Sequence, residues 1–212
     1  MFLTNIFKKI YYKIFSISTV VNKVSLFTNK IPKYEKFEIG EGTYGEPEIF
    51  DWNDGSTLKI GKYCSLGRVS ILLGGEHNLT GPSTYPFESI NLKADSLDTS
   101  KVSDRHSKGD VIIGNDVWIG DKTTILSGIV IGTGAVIGAC TVVSKNIPPY
   151  AVVVGNPCRI IKYRFSEKEI EDMLQIKWWE WNDIKIKKNM DDFNLPLQQF
   201  IKKYLPIICS NE

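Results

Sequence analysis

Residues 113–148, cut in sixes, read IGNDVW, IGDKTT, ILSGIV, IGTGAV, IGACTV and VSKNIP. An aliphatic side chain opens each block: Ile113, Ile119, Ile125, Ile131, Ile137 and Val143. A small residue follows in five of the six, namely Gly114, Gly120, Gly132, Gly138 and Ser144. A helix wants its apolar residues three or four apart, and a flat strand wants them at every second place. Neither fits, because the third place in each block is polar or small (Asn115, Asp121, Ser127, Thr133, Ala139, Lys145). The fifth place is compact again: Val117, Thr123, Ile129, Ala135, Thr141 and Ile147. A short strand, a turn and one inward aliphatic per side describe a triangular β-solenoid with three blocks to a coil. One such coil cannot bury a core alone, whereas stacked coils share a continuous one.

Upstream, IGKYCS from Ile60 and LGRVSI from Leu66 carry the same rhythm, preceded by an irregular first coil through EIGEGTYG and DWNDGS. Leu72 would open the next block, but Gly74 and Gly75 break it. Ile113 lies 47 residues after Leu66, which is not a multiple of six, so an excursion leaves the solenoid over residues 74–110. Loops of that length are uncommon and often functional. This one holds the only two histidines, His77 and His106, and its two leading glycines let the backbone turn sharply before His77.

Downstream, AVVVGNPCRIIKYRF closes the solenoid, and Ser166 with Glu169 forms a capping box for a helix. Ile170, Met173, Leu174, Trp178 and Trp181 give that helix its apolar stripe. Two shorter helical pieces are expected around residues 183–193 and 196–204. The cluster of Trp178, Trp179 and Trp181 reads as packing of this tail on the solenoid rather than as a ligand platform. The chain thus divides into an N-terminal segment 1–34, a solenoid 35–164 and a helical tail 165–212.

The 212 residues suit one main domain with appendages, and a net charge of +2 carries no nucleic-acid signature. Charge is uneven, however: Lys8, Lys9, Lys13, Lys23, Lys30 and Lys33 all precede the first acid, Glu35. Residues 2–15 form a basic amphipathic pattern with Phe2, Leu3, Ile6, Phe7, Ile10, Tyr11, Ile14 and Phe15 on one side. Two readings fit it: peripheral contact with an anionic membrane surface, or packing on a neighbouring subunit or the solenoid end. Cys64, Cys140, Cys158 and Cys209 lie far apart without a CxxC pair, which reads as reduced thiols in a cytoplasmic protein. No run of about 18 apolar residues suggests a spanning helix, and lysines punctuate the N-terminus where a signal peptide would be apolar.

The stretch GGEHNLTGPSTYPF (74–87), then DVWIG (116–120), the hexads, GNPCRIIKYRF (155–165) and the Trp-rich helix resemble the hexapeptide-repeat acyltransferases. Within them the resemblance is to the xenobiotic acetyltransferase branch, which includes streptogramin, chloramphenicol and saccharide O-acetyltransferases. It covers roughly residues 35–205 and implies a left-handed parallel β-helix, a homotrimer, and acetyl-CoA bound between adjacent solenoids, with no metal. The resemblance makes His77 the general base, a role that an imidazole of ordinary pKa near 6.5 suits chemically. His106 matches no motif and reads as a surface or hinge residue. For the cofactor the resemblance implies Ala139 beside the pantetheine arm, with Ser144 and Lys145 one coil edge further on. It also implies Arg159 and Lys162 at the phosphates, and Trp118 lining the active-site side, although Trp118 reads nearly as well as a packed solenoid aromatic. Tyr85 and Phe87 belong to the acceptor-facing segment. One departure stands out: relatives place an aspartate three residues after the loop histidine, where this chain has Thr80.

The expected activity is therefore acetyl transfer to a hydroxyl of a surface-polysaccharide sugar or oligosaccharide. An antibiotic hydroxyl or an amino sugar is the alternative acceptor. A zinc carbonic anhydrase on the same solenoid needs three histidine ligands, which two histidines per chain do not supply. A non-catalytic scaffold would need neither His77 nor the phosphate-binding cations.

Overall fold

The computed structural model describes residues 27–87, 90 and 105–205. The amphipathic helix expected over residues 2–15 lies outside them. The hexads build a left-handed parallel β-helix with three faces. The first face stacks β1 (Glu38–Ile39), β3 (Leu58–Ile60), β8 (Val111–Ile113) and β11 (Val130–Ile131). The second stacks β4 (Ser65–Leu66), β9 (Trp118–Ile119), β12 (Val136–Ile137) and β14 (Ala151–Val154). The third stacks β2 (Glu48–Phe50), β5 (Val69–Leu72), β10 (Thr123–Ile125) and β13 (Val142–Val143). Pairing between these strands is parallel and in step, with Ile119 beside Leu66 and Ile137 on the second face, for example.

Register explains the hexad. All six opening aliphatics and all six fifth-place residues are buried, so each corner is pinned from inside on both flanks. Full burial of an Ile or Val side chain contributes roughly 1.5–3 kcal/mol relative to exposure, which makes this column the main source of stability. The small second place has a steric cause. A Cβ on Gly120 would lie 2.5 Å from the backbone nitrogen of Ala139 in the next coil.

Leu72 does not open a block. Ile71 takes the inward place, paired with Ile125, while Leu66 pairs with Ile119. The earlier coil thus spends five residues between its inward positions where the later one spends six. One turn residue is missing: Arg68 stands alone where Asp121 and Lys122 make the turn above it.

The excursion leaves after β5, and its stem is a two-residue antiparallel ribbon of β6 (Glu76–His77) with β7 (Arg105–His106). At the far end, β15 (Arg159–Tyr163) turns back antiparallel on β14, with a register shift between Val152 and Val153. Helix α1 (Glu167–Ile176) starts at the Ser166 capping box, in which Ser166 Oγ accepts from the Glu169 amide and the Glu169 carboxylate accepts from the Ser166 amide. α2 (Asp183–Lys188) and α3 (Leu197–Tyr204) follow. The tail docks on the corner between first and second faces. Tyr150 there is buried with Met173, Ile176, Phe200 and Ile201, and the Tyr63 ring lies 5.1 Å from that of Trp178. Trp179 is buried and Trp181 stacks on Phe200, so the tryptophans are packing residues. Among the described residues no helix is long and apolar enough to cross a membrane.

Inside the solenoid, Cys64 is fully buried with its Sγ 3.1 Å from the Gly114 carbonyl, and burial pushes its thiol up to about 11. A thiol raised in the fold favours the protonated native state. Its contribution is therefore constant below the unfolded value of about 8.5 and is lost as pH rises toward the folded value. Between pH 8 and 10.5 the stability of the protein should fall by roughly 2–3 kcal/mol more than that of a Cys64→Ala variant. Urea unfolding at the two pH values measures this, and equal losses in both proteins would contradict it.

Candidate active site

His77 projects from β6 and is exposed, with its Nδ1 2.7 Å from the Thr84 carbonyl oxygen. A carbonyl can only accept, so Nδ1 carries the proton and Nε2 of the neutral ring keeps its lone pair. The same loop is folded by its own polar groups. Asn78 Oδ1 accepts from the Thr80 amide and hydroxyl, and Ser83 Oγ accepts from the Tyr85 amide. Tyr85 and Phe87 are both exposed, their ring centroids 4.7 Å apart. His106 is exposed and lies opposite Glu76 in the ribbon, not beside His77.

The ribbon's root is fastened at the corner between third and first faces. Ser107 Oγ donates to the Leu73 carbonyl at 2.7 Å, and Asp110 Oδ1 accepts from the Thr57 amide at 2.8 Å. Gly75, one residue before β6, has φ of +83°, and a Cβ there would meet the Trp52 indole at 2.9 Å. That corner is the vertex opposite the second face, and the second face carries Trp118.

Trp118 is 59% exposed, so it is not a packed solenoid aromatic. It stands in a lateral row of Ser65, Trp118, Val136, Val152 and Lys162 across the second face. Concavities open on either side of it. One, of about 630 Å³, is lined by Tyr63, Asp116, Trp118, Lys162, Arg164 and Phe165. The other, of about 490 Å³, includes Tyr44, Trp118, Asp121 and Ala139. Arg164 donates to Asp116 at 3.2 Å and to the Gly134 carbonyl at 2.8 Å. Burial pushes the Asp116 carboxyl up while Arg164 opposes it. In the second concavity the Arg68 guanidinium holds the Asp121 carboxyl down at about 2.

The cofactor candidates are thus spread. Trp118 and Ala139 share one concavity, and Trp118 and Lys162 share the other. Arg159 pairs with Val154 on β15, at the edge of the second face. Ser144 and Lys145 follow β13 at the corner between third and first faces, and both are exposed. Among the described residues Lys145, Arg159 and Lys162 form no ion pair. Nor do the described residues hold a group of three or more His, Cys, Asp or Glu side chains placed to bind a metal.

The family model described as Bacterial transferase hexapeptide (six repeats) matches residues 110–145. Over 154 residues, 71% of this chain and 85% of the relative, the sequence is 38% identical to a Lysinibacillus sphaericus protein named Probable macrolide acetyltransferase. The chain belongs to the hexapeptide-repeat acetyltransferases. This acetyltransferase is also 39% identical to a Chloramphenicol acetyltransferase of Klebsiella aerogenes over 143 residues, 66% of this chain and 67% of the relative. To the Galactoside O-acetyltransferase of Escherichia coli (strain K12) it is 29% identical over 157 residues, 72% of each chain.

Several groups at the site were not singled out from the sequence: the Thr84 carbonyl, the Glu76, Lys108 and Ser127 cluster at the ribbon root, and Arg164 with Asp116. One signal was available for Ser127. It is a hydroxyl at a third place, and it is the one third-place residue in the six hexads that is buried.

Gly75 and Gly81 of this acetyltransferase make a controlled pair. Gly75→Ala forces a non-glycine residue into a left-handed backbone against Trp52 and should cost about 1–3 kcal/mol of stability. Gly81→Ala has nothing nearer than 3.7 Å around the added carbon and should stay within about 0.5 kcal/mol of the parent. Urea unfolding midpoints separate the two, and equal midpoints would mean the turn at Gly75 is not sterically fixed.

Proposed function

We propose that this acetyltransferase moves acetyl directly from acetyl-CoA to an acceptor hydroxyl, with His77 as general base. The observation that carries the reading is the contact of His77 Nδ1 with the Thr84 carbonyl, which leaves Nε2 as the proton acceptor. As the acceptor oxygen attacks the thioester carbonyl, its proton passes to Nε2. The tetrahedral intermediate then collapses, the C–S bond breaks, and the imidazolium returns the proton to the leaving thiolate. No cysteine nucleophile is required, and the raised thiol of Cys64 would make a poor one.

In this reading Ala139, Ser144 and Trp118 flank the pantetheine arm of acetyl-CoA. Lys145, Arg159 and Lys162 meet its phosphates, to which an arginine fork and lysine point charges are suited. His77 emerges at the vertex opposite the face that carries Trp118, so the two meet only across a groove between copies. The reading therefore takes the enzyme to be a cytoplasmic homotrimer with shared sites. Sedimentation at micromolar concentration should give a species of three chain masses, and a fully active monomer would end the shared-site reading.

For the acceptor, the exposed rings of Tyr85 and Phe87 form an aromatic wall that suits the apolar face of a saccharide. The leading acceptor is a hydroxyl of a surface-polysaccharide sugar or oligosaccharide. An antibiotic hydroxyl is the second reading, favoured by relatives named for macrolide and chloramphenicol acetylation. An amino-sugar nitrogen is the third acceptor to include. Thiol release from acetyl-CoA, followed across oligosaccharides, amino sugars, chloramphenicol and macrolides, discriminates among them. With the best acceptor, His77→Ala should lower kcat by ~10²–10⁴-fold in a protein that melts like the parent. Activity within a few-fold of wild type would remove His77 from the reaction.

A further inference from the structure

The ribbon bearing His77 is two residues long on each strand, and an isolated two-stranded hairpin is marginal in water. Its placement therefore depends on what its other face grips. Side chains alternate along a strand, so with His77 turned to solvent its neighbour Glu76 turns to the solenoid. There the Ser127 hydroxyl donates to Glu76 Oε1. Ser127 is 1% exposed. The same hydroxyl accepts from the Lys108 amide at 3.3 Å, and the Lys108 ammonium lies 3.8 Å from Glu76 Oε1. One buried hydroxyl thus ties down both the outgoing and the returning chain of the excursion, at a corner held by the inward residues Ile125 and Ile129. Glu76 Oε2 is buried and has no hydrogen-bond partner among the described residues, so Oε1 carries the contacts to Ser127 and Lys108.

We infer that Glu76 is a positioning residue for acetyl transfer: through Ser127 it fixes the backbone from which His77 reaches the acceptor. The inference rests on the general-base reading of His77. Glu76 exchanges no proton in the reaction and touches no reacting atom. Its effect comes from geometry, to which proton transfer is sensitive, since a displacement of about 1 Å in a reacting group can cost ~10²-fold in rate.

The test uses the full chain with acetyl-CoA and a verified acceptor, and compares Glu76→Ala, Glu76→Gln, Ser127→Ala, Ser127→Thr and His77→Ala. Glu76→Ala should lower kcat by roughly 10–100-fold while KM for acetyl-CoA stays within about two-fold. The midpoint of the acid limb of the pH profile should not move. Glu76→Gln keeps an accepting oxygen and should restore kcat to within a few-fold. Ser127→Ala should reproduce at least this loss, Ser127→Thr should not, and Glu76→Ala with Ser127→Ala together should cost no more than Ser127→Ala alone, because Glu76 acts through that hydroxyl. Wild-type kcat in Glu76→Ala beside an inactive His77→Ala would overturn the inference and leave the general base standing. An active His77→Ala would instead remove the general base. A Glu76→Gln as impaired as Glu76→Ala, with a shifted acid limb, would make Glu76 an electrostatic partner of the proton transfer and overturn the positioning role. Should Glu76→Ala fail to fold, Ser127→Ala against Ser127→Thr decides the question alone.

Discussion

Coil-on-coil stacking is the constraint from which everything else in this molecule follows. No coil has an inside until another lies on it, so each hexad must offer an aliphatic at its first place and a compact residue at its fifth, in step with the hexads above and below. Ile113, Ile131 and Ile60 meet on the first face for that reason, and Ile119, Ile137 and Leu66 on the second. The corners inherit the same strictness. Tyr63, Asp116, Gly134 and Tyr150 all take left-handed backbone at the corner between first and second faces, one per coil. A side chain placed at a corner thereby acquires a fixed height and direction, which is what a site assembled from distant residues needs.

The sequence made the solenoid legible because the constraint repeats: six blocks in a row carry the same message. His77 and the ends of the excursion were legible for the opposite reason, as an interruption of the period flanked by glycines. The missing turn residue beside Arg68 was hidden, because a single deletion leaves aliphatics at both Ile71 and Leu72, and sequence cannot choose between neighbours of equal hydrophobicity. Only pairing with Ile125 settles it. The Glu76 and Ser127 contact was hidden too, since its members are 51 positions apart and joined through a corner that exists only once the coils are stacked. Arg164 and Asp116 are 48 apart and were hidden in the same way.

The solenoid also separates the duties of charged groups that composition lumps together. Arg68 and Arg164 are engaged with Asp121 and Asp116; the first pair is exposed and contributes little to stability, whereas the second is half-buried. Their effect is to hold carboxylates at the walls of the two concavities beside Trp118. Lys145, Arg159 and Lys162, by contrast, stand on the last coil and on the strand that follows it, where coil-to-coil pairing no longer fixes every side chain.

The return of β15 on β14 bears on how such a protein can change length. A parallel coil ends in open backbone groups that would template another turn of the same hand, in this chain or another. On the second face that edge is taken by an antiparallel strand with a shifted register and a lysine, Lys162, paired to Val152. A further hexad appended after β14 would find no parallel partner there. Lengthening by duplication would therefore succeed only by inserting three hexads, one full coil, within the stack. The end of the solenoid with its helical tail would ride outward intact, while the number of coils between the His77 corner and the terminal cations would change.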